Sequence, residues 1–290
     1  TGPSSNSTMP TLFDPNQAGD LQLANRIVNR MGIFHPYELA EEEGASLGDV
    51  ATAFVIAERL FDIASLWAAI DAAAINEGAR LLLFDQVAVE LRAAMADLLR
   101  GAVAGRSVGA TLDALRPGID QLTAQIEALL VDEARVQAQG FATRLRAAGV
   151  PDALVARVVR LAELDGAVGI AALAGRNAID VEAVTRAFTM LGGALGLDWA
   201  QGAAMQAAPI DPWERLLVAG LGRDFQQMRL DFLRGDANGP EARVAAWLTA
   251  QAPRVADYRR LVDRARVTAT PTPAMLAQLA GQARVLLARR

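Results

Sequence analysis

The sequence predicts an all-α protein, a multi-helix bundle, on three observations. Hydrophobic residues make up 52% of the 290 residues but aromatic residues only 5%, so alanine and leucine, both strong helix formers, supply most of the apolar content. Apolar side chains recur at steps of three and four residues along most of the chain, which is the period of a helix with one buried face. The 12 prolines fall mostly between these stretches, and no strand pattern has comparable strength.

The first helices are predicted after residue 20. Residues 1–20, which begin TGPSSNSTMP, are interpreted as a disordered leader or a cloning remnant outside the fold. The segment 21–31 repeats apolar side chains at every fourth position, which predicts a helix. A second helix is expected at 35–44, because Pro36 suits the first helical position and Gly44 the position after the last.

Two distant helices begin alike. Ser46 is predicted to cap the first, with Asp49 completing a capping box, and Asp180 is predicted to cap the second. An apolar stripe with steps of 3, 4, 3 and 4 residues follows each cap, and a tryptophan comes after each stripe. The stripes are Leu47, Val50, Phe54, Ala57 and Phe61, and Val181, Val184, Phe188, Leu191 and Leu195. Duplication and two similar solutions to one packing problem both remain open as explanations.

The rest of the chain is also helical in pattern. Asp211 is predicted to cap a further helix, with Pro212 at its first position and Glu214 at its third. The segment LRPG at 115–118 is expected to end a short helix. The other predicted helices span 63–75, 81–99, 119–148, 152–164, 166–174, 241–266 and 273–289.

One segment is the best candidate for a domain boundary. Residues 100–110 are rich in glycine and small side chains and have no apolar stripe. The sequence therefore predicts an N-terminal helical subdomain at 21–105 and a C-terminal helical subdomain at 106–290.

The predicted core is built from large apolar side chains at the stripe positions. These residues are expected to be buried and to have no chemical role. They are Phe54, Trp67, Phe84, Leu91, Phe188, Trp199, Leu217 and Phe225.

Charge and composition exclude several kinds of function. All 28 basic residues are arginine, against 33 aspartates and glutamates, which gives a net charge of −5. A nucleic-acid binder is usually basic, and the helix after Ser46 offers no Arg, Lys, Gln or Asn up to Phe54 that could contact a base. The absence of cysteine excludes disulfides and thiolate sites. No uncharged apolar stretch is long enough to predict a membrane span, and the arginine and alanine content favours a bacterial source.

The candidate chemical groups all favour a structural interpretation. His35 is the one histidine, and its place at a helix start indicates capping more than metal ligation or catalysis. The run Glu41, Glu42 and Glu43 is interpreted as a solvated helix face. The segment GGALG at 192–196 follows a helical stripe and is interpreted as a helix exit, since a dinucleotide loop would follow a strand. No catalytic, cofactor-binding or metal-binding residue is predicted.

Several segments taken together resemble the C-terminal region of the large bacterial NAD-specific glutamate dehydrogenases. The order and spacing of these segments make the resemblance specific, and it extends over residues 21–285. The segments are LANRIVNRMG at 23–32, EEEGASLGDVATAFVIAERLFDIASLWAAID at 41–71, LRPGI at 115–119, AAGVPDALVARVVRL at 147–161 and DVEAVTRAFTMLGGALGLDW at 180–199.

The resemblance implies a parent enzyme that converts L-glutamate, NAD and water to 2-oxoglutarate, ammonia and NADH. Enzymes of this class use catalytic lysines, and this chain has no lysine and no βαβ unit for a nicotinamide cofactor. The resemblance therefore implies a cytoplasmic, non-catalytic domain, with NAD bound elsewhere in a homo-oligomeric parent and an upstream catalytic domain as partner. Two alternatives remain open, a stand-alone helical interaction or regulatory protein and a DNA-binding regulator.

Overall fold

The computed structural model describes residues 15–101, 106–130, 132–208, 210–234, 239–268 and 270–289. Within those ranges the chain forms fifteen α-helices and no strand, which confirms the predicted all-α bundle. Helix α1 begins at Pro15, earlier than the predicted start at residue 21, and residues 1–14 of the predicted leader lie outside the described residues.

The first eight helices lie before residue 164. They are α1 Pro15–Met31, α2 Phe34–Glu43, α3 Leu47–Leu60, α4 Ile63–Ala72, α5 Glu77–Gly101, α6 Val108–Leu129, α7 Asp132–Ala147 and α8 Asp152–Glu163. Seven more complete the chain. They are α9 Ala167–Asn177, α10 Val181–Leu195, α11 Leu197–Gln206, α12 Pro212–Leu233, α13 Pro240–Ala250, α14 Ala252–Arg266 and α15 Pro273–Leu287.

The three predicted caps lie at helix starts. The Ser46 hydroxyl accepts a hydrogen bond from the Asp49 amide at 3.1 Å, and the Asp49 carboxylate accepts one from the Ser46 amide at 3.3 Å. This is a capping box with a short acidic partner. Asp180 accepts from the second helical amide of α10, and Asp211 accepts from the Glu214 amide at 2.8 Å.

The expected helix break at Pro117 is wrong. Helix α6 continues through Pro117, and Leu115 and Ile119 on either side of it are buried. A Cβ on Gly118 would lie 2.9 Å from the Ala171 Cβ of α9, so the glycine serves a close helix–helix approach and not a turn. Packing on both sides of the proline thus offsets the hydrogen bond that it removes. The predicted single helix 119–148 is correspondingly divided between α6 and α7.

The core is continuous between the two predicted subdomains. Helix α3 packs against both α5 and α6, and α5 packs against α8 and α9. Helix α12 contacts α2 as well as α9, α10, α11 and α15. Residues 102–105 of the predicted boundary segment lie outside the described residues, and the division into subdomains stays a prediction.

Candidate functional site

Most of the eight predicted core residues lie in this shared core. Phe54, Trp67, Leu91, Phe188 and Phe225 are buried. The rings of Phe54 and Trp67 stack with their centroids 6.3 Å apart. Phe84 and Trp199 are half-buried, and each ring lies under an arginine guanidinium, of Arg30 and Arg266 respectively. In a cation–π contact of this kind, the guanidinium covers one face of an aromatic ring that lies at the edge of the core.

The expected burial of Leu217 is wrong. Its side chain is 42% exposed, whereas the neighbouring Val218 is 8% exposed. Leu217 and Leu221 are four residues apart. Because a helical turn has 3.6 residues, positions four apart point in slightly different directions around the helix, and the difference grows with each further step. At the start of α12 the core-facing position has therefore moved from Leu217 to Val218.

A cluster of three carboxyl groups lies where α5, α11 and α12 meet the turn between α8 and α9. We call Glu90, Asp97 and Asp165 the carboxyl cluster. Each member accepts a short hydrogen bond from a glutamine amide: Glu90 from Gln86 at 2.6 Å, Asp97 from Gln226 at 2.8 Å and Asp165 from Gln201 at 2.6 Å. Neutral amide donors leave the negative charge of a carboxylate largely uncompensated.

Burial raises the pKa of Glu90 to about 8, with a further increase from the charge of Asp165 and a decrease from the Gln86 hydrogen bond. Burial also raises the pKa of Asp97 to about 7, again with Asp165 contributing to the increase. The pKa of Asp165 is raised mainly by burial, against the opposing effect of Arg229. Removal from water disfavours the ionised form, so Glu90 and Asp97 bind protons at a higher pH than exposed carboxyl groups do.

Arg229 supplies a positive charge that opposes the raised pKa of Asp165. Its side chain is almost fully buried, and its guanidinium pairs with Asp198 and donates to the Gln201 amide oxygen. The same guanidinium lies 4.0 Å from the centroid of the Phe188 ring. Gln201 therefore links the arginine to Asp165, and Arg229 holds α10, α11 and α12 together.

A second polar cluster overturns the interpretation of the acidic run as a solvated face. The carboxylates of Glu42 and Glu43 are only 3% and 4% exposed. Glu42 accepts from Arg92 of α5 and from Arg223 of α12, each at 2.6 Å. We call Glu42, Glu43 and their arginine partners the α2 clamp.

The clamp also engages Glu43. Its Oε2 accepts from the Arg100 Nε at 2.7 Å, and its Oε1 lies 2.8 Å from the Arg223 Nε. The guanidinium of Arg100 lowers the pKa of Asp97, and the carboxylate of Glu43 raises it. The α2 clamp and the carboxyl cluster are therefore electrostatic neighbours along α5 and α12.

The space beside the carboxyl cluster is too small for a substrate. Glu90, Asp97 and Asp165 line a cavity of about 10 Å³ together with Phe61 and apolar residues of α5, α8 and α9. This is about the space that one water molecule requires, whereas small-molecule sites are typically of about 300–1,000 Å³. Among the described residues, no group of three or more acidic residues or histidines has an arrangement that could hold a metal ion.

His35 lies apart from both clusters at the start of α2. Its Nδ1 is 4.0 Å from the nearer carboxylate oxygen of Glu38, which is too long for a hydrogen bond. The N-cap of α2 is Ile33, and no side chain caps that helix, so the expected capping role of His35 is wrong. The segment 192–196 is the end of α10, with Gly196 in the left-handed conformation that ends it, as expected for a helix exit.

Sequence reasoning missed both polar clusters. The partners of Glu42 lie 50 and 181 residues away along the chain, and no local pattern marks those arginines. The apolar stripes give no signal either, because Glu90 and Asp97 on α5, and Gln226 and Arg229 on α12, lie to the side of the stripe or opposite it.

Helix α3 has its apolar stripe turned into the core, not toward a partner. Val50, Phe54 and Ala57 are buried, and Asp49 is used in its cap. The described helices include none with the length and apolarity needed to cross a membrane.

Comparison with known proteins identifies similar sequences. A family model described as "Glutamate dehydrogenase, C-terminal" matches residues 21–284. A relative, the NAD-specific glutamate dehydrogenase of Halomonas elongata, is 28% identical over 237 residues. That alignment covers 79% of this chain but 15% of the relative, so the chain spans only a small part of the relative's length.

Proposed function

Because this chain belongs to the family of glutamate dehydrogenase C-terminal domains, we propose that it is a non-catalytic part of such an enzyme, with a structural, assembly or regulatory role. The family match confirms the resemblance seen in the sequence. In this proposal the oxidation of L-glutamate to 2-oxoglutarate, and the NAD that it reduces, belong to another part of the enzyme. The relative is named an NAD-specific enzyme, which supports NAD as the cofactor of the parent.

The observation that best supports a non-catalytic role is that the buried carboxyl groups are bonded within the protein and have no space beside them for a substrate. Each carboxyl of the carboxyl cluster is occupied by a protein hydrogen bond, and the cavity beside it has room for about one water molecule. Catalysis requires a group within reach of a substrate. The chain also has no lysine, the residue type that the resemblance assigns to catalysis in this class.

The proposed partner is the catalytic domain of the same enzyme, in a homo-oligomeric assembly in the cytoplasm. A domain that spans 15% of its relative is expected to be bound to the much larger remainder. The clusters described above give it a fixed shape for that purpose, because they tie α2, α5, α11 and α12 to one another.

The test is a comparison of activity and binding. We expect the purified chain to produce no NADH from L-glutamate and NAD, and to co-purify with the remaining polypeptide of the glutamate dehydrogenase. Robust turnover by the chain alone would contradict the non-catalytic role. Failure to associate with the enzyme would favour the stand-alone interaction or regulatory protein.

A further inference from the structure

Three aromatic side chains stand out by their exposure. Among the aromatic residues that the structure describes, Phe34, Tyr37 and Trp213 are exposed by 74%, 60% and 80%, and the others are buried or half-buried. Aromatic residues are enriched at protein interfaces, and tryptophan and tyrosine are over-represented among the residues that dominate binding energy.

These three residues lie on two segments joined by an ion pair. Phe34 and Tyr37 belong to α2, and Trp213 belongs to the first turn of α12. The Glu38 Oε1 of α2 is 3.0 Å from the Arg215 Nη1 of α12. Each segment contributes further exposed apolar side chains. We define the aromatic surface as Ile33, Phe34, Tyr37, Ile210, Trp213 and Leu217, all of which are exposed.

Helix α2 is attached to the fold in an unusual way. Its only fully buried residue is Leu39, so the apolar side chains at its start contribute little to the core. The helix is held instead by Glu42 and Glu43 of the α2 clamp. Buried ion pairs carry a large desolvation cost and often add little net stability, but their directional bonds fix one orientation. The clamp therefore fixes α2 in place while Phe34 and Tyr37 point to solvent.

The charges around the aromatic surface are mostly negative. Glu38 and Glu41 lie on α2, and Asp211 and Glu214 lie at the start of α12. The neighbouring arginines Arg215 and Arg92 are both paired with Glu38. A complementary partner would offer an apolar patch with a basic rim, because like charges across an interface are unfavourable.

We propose that the aromatic surface is the face by which this domain docks on the catalytic part of its glutamate dehydrogenase. The inference rests on the proposed function and names the contact face. The family relative has 85% of its length outside the matched region. We expect that larger part of the enzyme to bury the exposed aromatic residues of the rigid helix α2. The docking patch on the catalytic part is apolar and is rimmed by lysine or arginine.

The experiment measures binding of this 290-residue chain to the remaining polypeptide of the enzyme. The test variant is Phe34→Ala with Trp213→Ala. The matched control is Leu81→Ala with Val285→Ala, which removes exposed apolar side chains from α5 and α15. Urea unfolding of each variant verifies that the fold is retained, as expected for changes at exposed positions.

We expect the test variant to bind at least about 30-fold more weakly than wild type, the ratio that corresponds to one strong hot spot. The affinity of the control variant is expected to stay within about threefold of the wild-type value. Added salt is expected to weaken wild-type binding, because the rims are oppositely charged.

Equal binding of the test and control variants would show that the aromatic surface is not the docking face, and would leave the proposed function standing. No binding by the wild type would overturn the proposed function itself. Self-association of the wild type that only the test variant loses would assign the surface to a second copy of the chain and overturn the inference.

Discussion

The side-chain amide of Gln226 on α12 donates a 2.8 Å hydrogen bond to Asp97 on α5, across 129 residues of chain. Gly166 makes this contact possible, since a Cβ at that position would lie 3.2 Å from the Gln226 amide nitrogen. Asp97 belongs to the predicted N-terminal subdomain, and Gln226 and Gly166 belong to the C-terminal one. Polar contacts, and not only apolar packing, therefore join these two parts of the chain.

Replacement of Glu90 by glutamine is expected to change how stability depends on pH. In the unfolded chain this carboxyl ionises near its ordinary value of 4.5, whereas in the fold its pKa is about 8. Between these values the folded state holds a proton that the unfolded state has released, so the free energy of unfolding falls as pH rises. Glu90→Gln removes this loss. Relative to wild type, the variant should gain about 2 kcal/mol between pH 6 and pH 8, measured by urea unfolding.

Glu77→Gln is the control for this experiment. Glu77 also lies on α5, but its side chain is 78% exposed. Its difference from wild type should be nearly constant between pH 6 and pH 8. A parallel pH profile for Glu90→Gln and wild type would show that Glu90 does not hold its proton in the fold.

Replacement of Glu42 by glutamine tests the α2 clamp. The variant leaves the partly buried side chains of Arg92 and Arg223 without their shared carboxylate. Loss of one partner from a buried ion pair typically costs about 3–5 kcal/mol. The neighbouring change Glu41→Gln lies on the exposed side of α2 and should stay within about 0.5 kcal/mol. Equal stability of the two variants in urea unfolding would contradict the clamp.

Adjacent glycines of α10 provide a test of the contact around Arg229. A Cβ on Gly192 would lie 2.6 Å from the Asp198 Oδ2 and 2.7 Å from the Arg229 Nη1, whereas nothing lies within 4 Å of a Cβ on Gly193. Gly193→Ala should therefore stabilise the helix by about 0.5–1 kcal/mol. Gly192→Ala should destabilise the protein by about 1–3 kcal/mol, because it displaces the partly buried ion pair of Arg229 and Asp198. Thermal unfolding midpoints of the two variants should shift in opposite directions.

Phe54 and Leu217 contrast a correct and an incorrect assignment to the core. Phe54 is fully buried, and Phe54→Ala should lower the free energy of unfolding by about 3–5 kcal/mol. Leu217 is 42% exposed, and Leu217→Ala should cost less than about 1 kcal/mol. Denaturant titration of both variants distinguishes the two environments, and a large loss for Leu217→Ala would place its side chain in the core.

Local features of the sequence predicted the helices well. Ser46 with Asp49, and Asp211 with Pro212, have the residue types and spacings that satisfy free amides at a helix start, and these depend only on a few neighbouring residues. The segment at Pro117 was mispredicted because a contact between α6 and α9 decides its conformation. Such a contact joins residues far apart in the chain.

The polar clusters were beyond prediction for the same reason. A run of three glutamates is usually solvated, and only the positions of Arg92, Arg100 and Arg223 in the fold make two of them buried. The raised pKa values of Glu90 and Asp97 likewise depend on their separation from water and on Asp165, which lies on a different segment. Sequence periodicity assigns a residue to a face but does not identify what that face meets.

The 181 residues between Glu42 and Arg223 have a consequence for synthesis on the ribosome. At typical translation rates of about 5–20 residues per second, Arg223 is added to the chain roughly 10–40 seconds after Glu42. Once α5 has been synthesised, the nascent chain has Arg92 and Arg100 but still lacks Arg223. We therefore expect α2 to reach its final position only after α12 has left the exit tunnel.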